Sequence, residues 1–334
     1  MGEKWLVIDA HNHYLPKDAT ELACVADGMD YAASLKRIPV GYEAAYDIEN
    51  RIKLMDDAGV DMTVLEQSAW SPQGIAVCKA MTDGYADAAK KYPDRFIPCA
   101  HLPLQPGQEV LDELDRAVNE LGFKVLSLVS STSKYTLDSE DLFPLYEKVN
   151  ALDIPIFVHP SIKSGIWGGS KHGLSNHVSR EYDVAKATVE VMYGVLPRFP
   201  ELKFIMPHHG GGIPSQKGRM MAWHEPEDWQ VPDNIKGMPK TPVELEELGL
   251  DKDFEDLWGK LYFDTAGFGG WMPITEAATK TIMIERLCFG TDYPFEIHNA
   301  RDVKAFIDNI KALDIPEQDK KNILGENIKR LFKL

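Results

Sequence analysis

Two histidines stand one residue apart at the end of the first apolar run of the chain, in the stretch IDAHNHYLP at residues 8–16. In an extended chain, residues i and i+2 point to the same face, so His11 and His13 can direct both imidazoles towards one point. Imidazole nitrogens are preferred ligands of Zn²⁺ and related divalent cations. Histidine pairs also occur on ordinary protein surfaces, so this pair indicates a metal site only if further ligands join it.

Further side chains of suitable type come at the ends of other short apolar runs. His159 ends IPIFVHP, His208 and His209 end KFIMPHH, and Asp292 lies in RLCFGTDYP. Three or four imidazoles with one carboxylate suit Zn²⁺ first, and Mn²⁺, Co²⁺ or Fe²⁺ as alternatives. Such a cation brings the pKa of a bound water to about 7, which makes hydroxide available for catalysis near neutral pH.

These residues can meet only if the segments that carry them run side by side. Eight apolar runs predict strands, at 5–11, 62–68, 95–102, 124–131, 154–160, 203–209, 261–267 and 286–294. Helical patterns lie between and after them, at about 47–60, 74–91, 107–121, 139–152, 181–196, 214–223, 273–284, 299–312 and 317–332. Buried strands that alternate with helices predict right-handed crossovers and a parallel sheet, and eight units predict an α/β fold of the (β/α)8 TIM barrel type with C-terminal helices.

The barrel is predicted to be a single domain over residues 1–334, with inserts at about 14–46 and 224–258, after the first and sixth strands. A doubly wound open sheet is the alternative, but no glycine-rich phosphate turn follows the first strand. In a barrel the carboxyl ends of all strands open at one mouth. We therefore expect three or four imidazoles and a carboxylate to converge there, from His11, His13, His159, His208, His209 and Asp292.

Charge and composition limit the partners. The chain has 334 residues and a formal net charge of −16, a field that repels nucleic acid and anionic membrane surfaces. Four scattered cysteines without a C-x-x-C pair indicate reduced thiols, and the absence of a signal-peptide pattern or a long apolar stretch predicts a cytoplasmic protein. An anionic substrate would need specific arginines to offset the protein's own charge.

Five motifs carry a resemblance to a known family: IDAHNHYLP, IFVHP, HHGGGIP, GTDYPF and ILGENIKRLF. In order and spacing they resemble those of the amidohydrolase superfamily over nearly the whole chain. The branch that they resemble most contains α-amino-β-carboxymuconate-ε-semialdehyde decarboxylase and related decarboxylases and hydratases.

The resemblance implies that His11, His13, His159 and Asp292 are the ligands of one divalent metal ion, Zn²⁺ in preference to Mn²⁺. It further implies that His209 is the catalytic acid/base that activates the metal-bound water, with Asp292 beside it. His208 has no counterpart in the family pattern and is interpreted as structural.

Three more residues match positions that bind substrate in the family. Arg51 resembles an arginine that binds the substrate carboxylate, and Phe295 resembles an aromatic residue that lines the pocket. Arg219 resembles an arginine that reaches into the site of a neighbouring subunit, which implies a homodimer or a higher homo-oligomer.

The resemblance implies non-oxidative decarboxylation of a small unsaturated or aromatic carboxylic acid, with electrons accepted by the conjugated system as CO₂ leaves. A hydrolase or hydratase acting on a lactone, an amide or a conjugated acid is the alternative, because the same metal-bound hydroxide serves either reaction. A non-catalytic binding protein is a third hypothesis, and the complete set of ligands with its base argues against it.

Overall fold

The centre of the protein is a set of short parallel strands. The computed structural model describes residues 4–26, 28, 43–161, 173–224, 246 and 251–334. The strands among them are β1 (Ile8–Asp9), β2 (Met62–Leu65), β3 (Phe96–Pro98), β4 (Ala100–His101), β5 (Leu126–Val129), β6 (Ile156–His159), β7 (Phe204–Met206), β8 (Tyr262–Asp264) and β9 (Leu287–Cys288).

The strands close into a barrel. β1, β2 and β3 pair in that order, β4 to β9 pair in sequence, and every pair is parallel. β3 and β4 are two halves of one strand interrupted at Cys99, so the strands fill eight positions. The main-chain N–H of Ala10 donates to Phe289 O at 2.8 Å and joins the first strand region to the last. The predicted (β/α)8 barrel is confirmed.

Helices surround the strands, most of them at the predicted places, and two more, Lys17–Ala26 and Phe254–Trp258, lie in the predicted inserts, where no helix was predicted. They are Lys17–Ala26, Ile48–Ala58, Ile75–Lys91, Gln108–Asp115, Phe143–Leu152, Arg180–Glu190, Lys217–His224, Phe254–Trp258, Met272–Thr281, Ala300–Lys311, Glu317–Lys321 and Asn327–Phe332. Asp47 is the N-cap residue of the helix Ile48–Ala58, because its side chain accepts hydrogen bonds from the N–H groups of Glu49 and Asn50. Among the described residues, no helix has the length and apolar character that a membrane crossing requires.

Both predicted inserts lie partly outside the described residues. The described part of insert 14–46 contains the helix Lys17–Ala26 and the short turn Glu43–Ala45. The described part of insert 224–258 contains the helix Phe254–Trp258.

The barrel is filled with side chains and is not a pore. Ile8, Val64, Phe157 and Ile205 belong to a buried cluster against which C-terminal residues such as Phe332 pack. A second, larger cluster lies between the strands and the surrounding helices. Because the interior is packed in this way, polar chemistry is left to the strand ends.

A left-handed turn follows β7. His208, His209, Gly210, Gly211 and Gly212 all have positive φ, between 51° and 77°. Glycine adopts this conformation without the steric cost that a Cβ brings, and three of the five residues are glycines. At Gly211 a Cβ would lie 2.1 Å from Glu181 O. The helix Arg180–Glu190 therefore packs directly against the turn.

Alanine substitution should show how much this close packing matters. Gly211→Ala is expected to lower the free energy of unfolding by about 3 kcal/mol or more, from a steric clash added to left-handed strain of about 1–2 kcal/mol. Gly212→Ala is the matched control: its φ is also positive, but the nearest atom to a Cβ, Phe268 Cζ, is 3.6 Å away. Chemical denaturation of both variants measures the difference, and equal losses would contradict the role given to the helix contact.

Candidate active site

Seven polar side chains meet at the carboxyl ends of the strands. His11 and His13 follow β1, Glu66 follows β2, His159 ends β6, His208 follows β7, Asp264 ends β8 and Asp292 follows β9. All seven are buried. The position of each is set by its strand, because parallel strands in a barrel end on the same side.

The four predicted metal ligands fall in two overlapping groups: His11, His13 and His159 lie with Glu66, and Asp292 lies with His11 and His208, the possible ligand atoms of each group being within 4.8 Å of one another. Asp292 Oδ1 is 2.8 Å from His13 Nε2 and 3.9 Å from His11 Nε2. The rings of His11 and His159 have centres 5.7 Å apart, and those of His13 and His159 have centres 5.1 Å apart. Ligands held about 2.0–2.2 Å from one ion are about 3–4 Å from one another, so the 3.9 Å spacing suits two ligands of one ion, whereas the 2.8 Å contact between His13 and Asp292 is a hydrogen bond in this structure.

Buried atoms without partners support the fit to a metal ion. Nε2 of His11 has no hydrogen-bond partner among the described residues although the side chain is fully buried. The other nitrogen, Nδ1, lies 2.8 Å from Asp264 Oδ2, and the carboxylate accepts its proton and leaves the lone pair on Nε2. His159 is oriented in the same way, since its Nδ1 donates to Pro160 O at 2.7 Å. Both imidazoles thus present an unprotonated nitrogen to the site.

The loop that carries Asp292 is tied to the first strand. The N–H of Thr291 donates to Asp9 Oδ1 at 3.0 Å, its hydroxyl donates to Asp9 Oδ2 at 2.6 Å, and the N–H of Asp292 donates to His11 O at 2.9 Å. Burial raises the pKa of Asp292, but hydrogen bonds from His13 and His208 more than offset it and hold the pKa well below its usual range. Asp292 is therefore an anion at neutral pH, as a metal ligand must be.

The structure places the two adjacent histidines after β7 in different surroundings, and the acid/base role of His209 stays a prediction. The ring of His208 stacks on that of His11 with centres 5.2 Å apart, and its Nε2 lies 3.4 Å from Asp292 Oδ2. His209, predicted to be the acid/base, points elsewhere: its Nε2 lies 3.2 Å from Thr275 Oγ1 and its ring packs against Phe268. Consecutive residues of a helical turn project in different directions, so only one of the two rings can face the cluster.

The two rings also differ in their affinity for a proton. Burial lowers the pKa of His208, but the charge of Glu181 and hydrogen bonds with Asp292 and Glu181 outweigh this and raise it to about 10. Nδ1 of His208 lies 2.9 Å from the Glu181 carboxylate. Burial lowers the pKa of His209 to about 4. His208 is thus the ring that carries a proton at neutral pH.

Arg51 is not among the residues that line the cavity beside the cluster, and its contact with substrate stays a prediction. Its Nε donates to Ala44 O at 2.8 Å, and Nη2 donates to His13 O. The guanidinium lies 4.8 Å from the centre of the Tyr293 ring and is fully buried. Burial lowers its pKa to about 10, so the group remains charged at neutral pH. Arg51 supports the main chain that carries His13.

A cavity of about 290 Å³ opens beside the cluster. Its lining includes His159, Arg180, His208, Asp292, Phe295 and Glu296. Phe295 is 48% exposed, and its ring centre lies 4.9 Å from that of His13, a placement that suits its predicted role in the pocket wall. Arg219 is exposed on the helix Lys217–His224, and its contact with a neighbouring subunit stays a prediction.

The chain matches a known protein family over almost all of its length. A family model described as Amidohydrolase matches residues 8–334, nearly the whole chain. The chain belongs to the amidohydrolase family. The resemblance carried by the five sequence motifs is thereby confirmed.

Three relatives align with most of this amidohydrolase. A gamma-resorcylate decarboxylase of Polaromonas sp. (strain JS666) is 28% identical over 86% of the chain and 87% of its own length. A 2-keto-4-carboxy-3-hexenedioate hydratase of Sphingobium sp. (strain SYK-6) is 27% identical over 98% and 96%. A 2-amino-3-carboxymuconate-6-semialdehyde decarboxylase of Dictyostelium discoideum is 25% identical over 96% and 90%. The last belongs to the branch that the sequence motifs indicated.

A solved structure shows the same architecture. A 2,6-dihydroxybenzoate decarboxylase complexed with 2,6-dihydroxybenzoate superimposes with a TM-score of 0.75 and 25% sequence identity, covering 99% of this amidohydrolase and all of that chain.

Two carboxylates of the site, Glu66 and Glu181, were missed in the sequence, and Arg180 was interpreted there as a solvated loop residue in preference to one that contacts substrate. Glu66 lies near the end of the predicted strand 62–68, as Asp292 lies near the end of the predicted strand 286–294, so the same rule was sufficient to find it. Arg180 and Glu181 begin the helix Arg180–Glu190 and reach the mouth only because that helix packs on the left-handed turn. No local pattern in the sequence indicates such a contact.

Proposed function

We propose that this amidohydrolase is a metal-dependent, non-oxidative decarboxylase of an aromatic or unsaturated carboxylic acid. The observation that carries the proposal is the position of His208, a ring that holds a proton within 3.4 Å of Asp292, at a cavity that Arg180 also lines. The relatives named as decarboxylases support the same reaction class, and the 2,6-dihydroxybenzoate complex supports an aromatic acid.

His11, His13, His159 and Asp292 would hold the metal ion. Three nitrogens and a carboxylate oxygen suit Zn²⁺, with Mn²⁺ as the alternative. A divalent cation in this place supplies a Lewis acid that draws electron density from an oxygen of the substrate. Asp264 keeps His11 in the tautomer that a ligand needs, since it accepts the proton of Nδ1.

His208 would supply the proton that decarboxylation requires. The bond between the substrate carbon and its carboxylate breaks, CO₂ leaves, and the electron pair stays in the conjugated system. A proton from His208 then forms the new C–H bond at that carbon, and solvent returns a proton to the ring. Glu181 raises the pKa of His208, so the His208 ring carries the proton that it donates at neutral pH.

Arg180 would receive an acidic group of the substrate. Its Nη2 lies 2.6 Å from Glu296 Oε1 and its Nε lies 3.0 Å from Glu181 Oε1, with 12% of the side chain exposed. Glu296 is the more exposed of the two partners, so an incoming carboxylate or phenolate can replace it on the guanidinium. This local cation offsets the protein's negative charge at the cavity.

Arg180→Gln is expected to raise KM for the acid at least about 10-fold, with a smaller change in kcat, because a charge-assisted hydrogen bond to the substrate contributes about 1.5–3 kcal/mol. Arg198→Gln, which changes an exposed arginine stacked on Phe143, is the matched control and should leave KM unchanged. Steady-state kinetics measure both variants. An unchanged KM in Arg180→Gln would remove Arg180 from the substrate site.

Release of CO₂ tests the reaction class. The metal-loaded protein is incubated with a panel of hydroxylated benzoates and unsaturated dicarboxylic acids, and evolved CO₂ and loss of substrate absorbance are followed together. We expect equal amounts of CO₂ and decarboxylated product. One relative is named a hydratase, and hydration would instead remove the conjugated absorbance without CO₂. Opening of lactones or amides without CO₂ would favour the hydrolase.

A further inference from the structure

We propose that Glu66 is a direct ligand of the metal ion, a second carboxylate beside Asp292. The inference rests on the proposed function only in requiring that the imidazole cluster binds a divalent ion. Glu66 directly follows β2, so this strand would also contribute a ligand to the ion.

Glu66 faces the predicted imidazole ligands. Its Oε1 lies 3.8 Å from His11 Nε2 and 3.7 Å from His159 Nε2. These are distances expected between two ligands of one ion, and they are too long for direct hydrogen bonds. Oε1 and His11 Nε2 are both fully buried atoms without a hydrogen-bond partner among the described residues. Glu66 Oε1 and His11 Nε2 face each other 3.8 Å apart, a distance at which both atoms can bind one ion.

The other carboxylate oxygen of Glu66 is anchored. Oε2 accepts a hydrogen bond from the N–H of Ser68 at 3.0 Å and one from the hydroxyl of Ser127 at 3.4 Å. With Oε2 held in this way, Oε1 is aimed at the imidazoles. A buried carboxylate with one oxygen anchored by outer hydrogen bonds and the other turned towards imidazole nitrogens has the arrangement of a monodentate metal ligand.

A different role for Glu66 would be to orient His13. Oε1 lies 2.7 Å from His13 Nδ1, but this contact lacks hydrogen-bond geometry, and Nδ1 is directed instead at the main-chain oxygen of Glu66 at 3.4 Å. Asp264 is a carboxylate that does orient a histidine in this site, since its Oδ2 accepts a well-formed hydrogen bond of 2.8 Å from His11 Nδ1. Glu66 does not share that geometry, which favours the ligand role.

A second carboxylate would change the character of the site. Two carboxylates balance the charge of a divalent cation, whereas Asp292 alone leaves it with a net positive charge. Oxygen ligands favour Mn²⁺ relative to a site of imidazoles. Loss of Glu66 should therefore weaken binding of Mn²⁺ more than binding of Zn²⁺.

The direct test is a crystal structure of the full chain loaded with Mn²⁺, with the ion located by anomalous scattering. We expect Glu66 Oε1 within about 2.0–2.3 Å of the ion, the range of carboxylate–metal bonds. A distance above about 3 Å, with Glu66 on His13, would overturn the inference while leaving the proposed function intact. A wild-type protein that binds no divalent ion would overturn both.

Metal affinity gives an independent readout. Glu66→Ala is expected to weaken Mn²⁺ binding, measured by competition with a chelator, by more than the roughly 10–100-fold that loss of an orienting partner causes. Glu113→Gln is the matched control, because Glu113 is also buried but pairs with Arg116 on an outer helix, and Mn²⁺ affinity should not change. Thermal unfolding confirms that both variants fold. If Glu66→Ala fails to fold, the Mn²⁺-loaded wild-type structure decides the question.

Discussion

Asp292→Asn should abolish both metal binding and release of CO₂. The substitution keeps the size of the side chain but removes the charge, and the buried His13 and His208 lose the anion that both now contact. We expect a loss of at least about 1,000-fold in kcat/KM, which corresponds to about 4 kcal/mol of transition-state stabilisation. Elemental analysis of the purified variant measures the metal content, and CO₂ release measures the activity.

Asp183→Asn is the control for the loss of a buried carboxylate. Asp183 is as buried as Asp292, but its oxygens accept hydrogen bonds from the hydroxyls of Ser130 and Ser131. This variant should lose stability and keep its metal ion. If Asp292→Asn keeps a full complement of metal, Asp292 is not a ligand and the proposed site is wrong.

Substitution of the adjacent histidines should separate catalysis from stability. His208→Gln is expected to lower kcat about 100–10,000-fold, the usual contribution of a positioned acid or base, while the metal content stays unchanged. His209→Gln should leave kcat nearly unchanged and lower the free energy of unfolding by about 1 kcal/mol or somewhat more, since it disturbs the contacts of the ring with Thr275 and Phe268. Steady-state kinetics and chemical denaturation of both variants provide the comparison.

The opposite pattern would restore the role that the sequence motif suggested for His209. In that case the turn after β7 would have to present the other ring to the cluster in the working enzyme. In the wild-type protein, activity should also fall as pH rises through the pKa of His208, because the acid then loses its proton.

Much of the site could be predicted because the strand ends define it. The histidines of β1 and β6 and the aspartate after β9 lie at the mouth of any parallel barrel with these strands, whatever the details of its helices. Their residue types then indicate a metal ion. The fold and the four-residue cluster therefore needed only the periodicity of the chain and the chemistry of imidazole and carboxylate.

The choice between His208 and His209 needed information that the sequence does not carry. Both residues follow the strand directly, and which ring faces inward depends on five consecutive residues with positive φ. That conformation is stabilised by a distant helix that packs on Gly211. Similarly, the charge of Arg51 was evident from the sequence, but only the fold brings the carbonyls of Ala44 and His13 to its Nε and Nη2.

The bond between Asp9 and Thr291 has a consequence for biosynthesis. It joins residues that are 282 positions apart, and it brings Asp292 to the histidines of β1. A nascent chain that still lacks its last strand has His11, His13 and His159 without the carboxylate from the far end. The complete set of proposed ligands would thus form only after the last strand has been translated, when the first and last segments of the chain have joined.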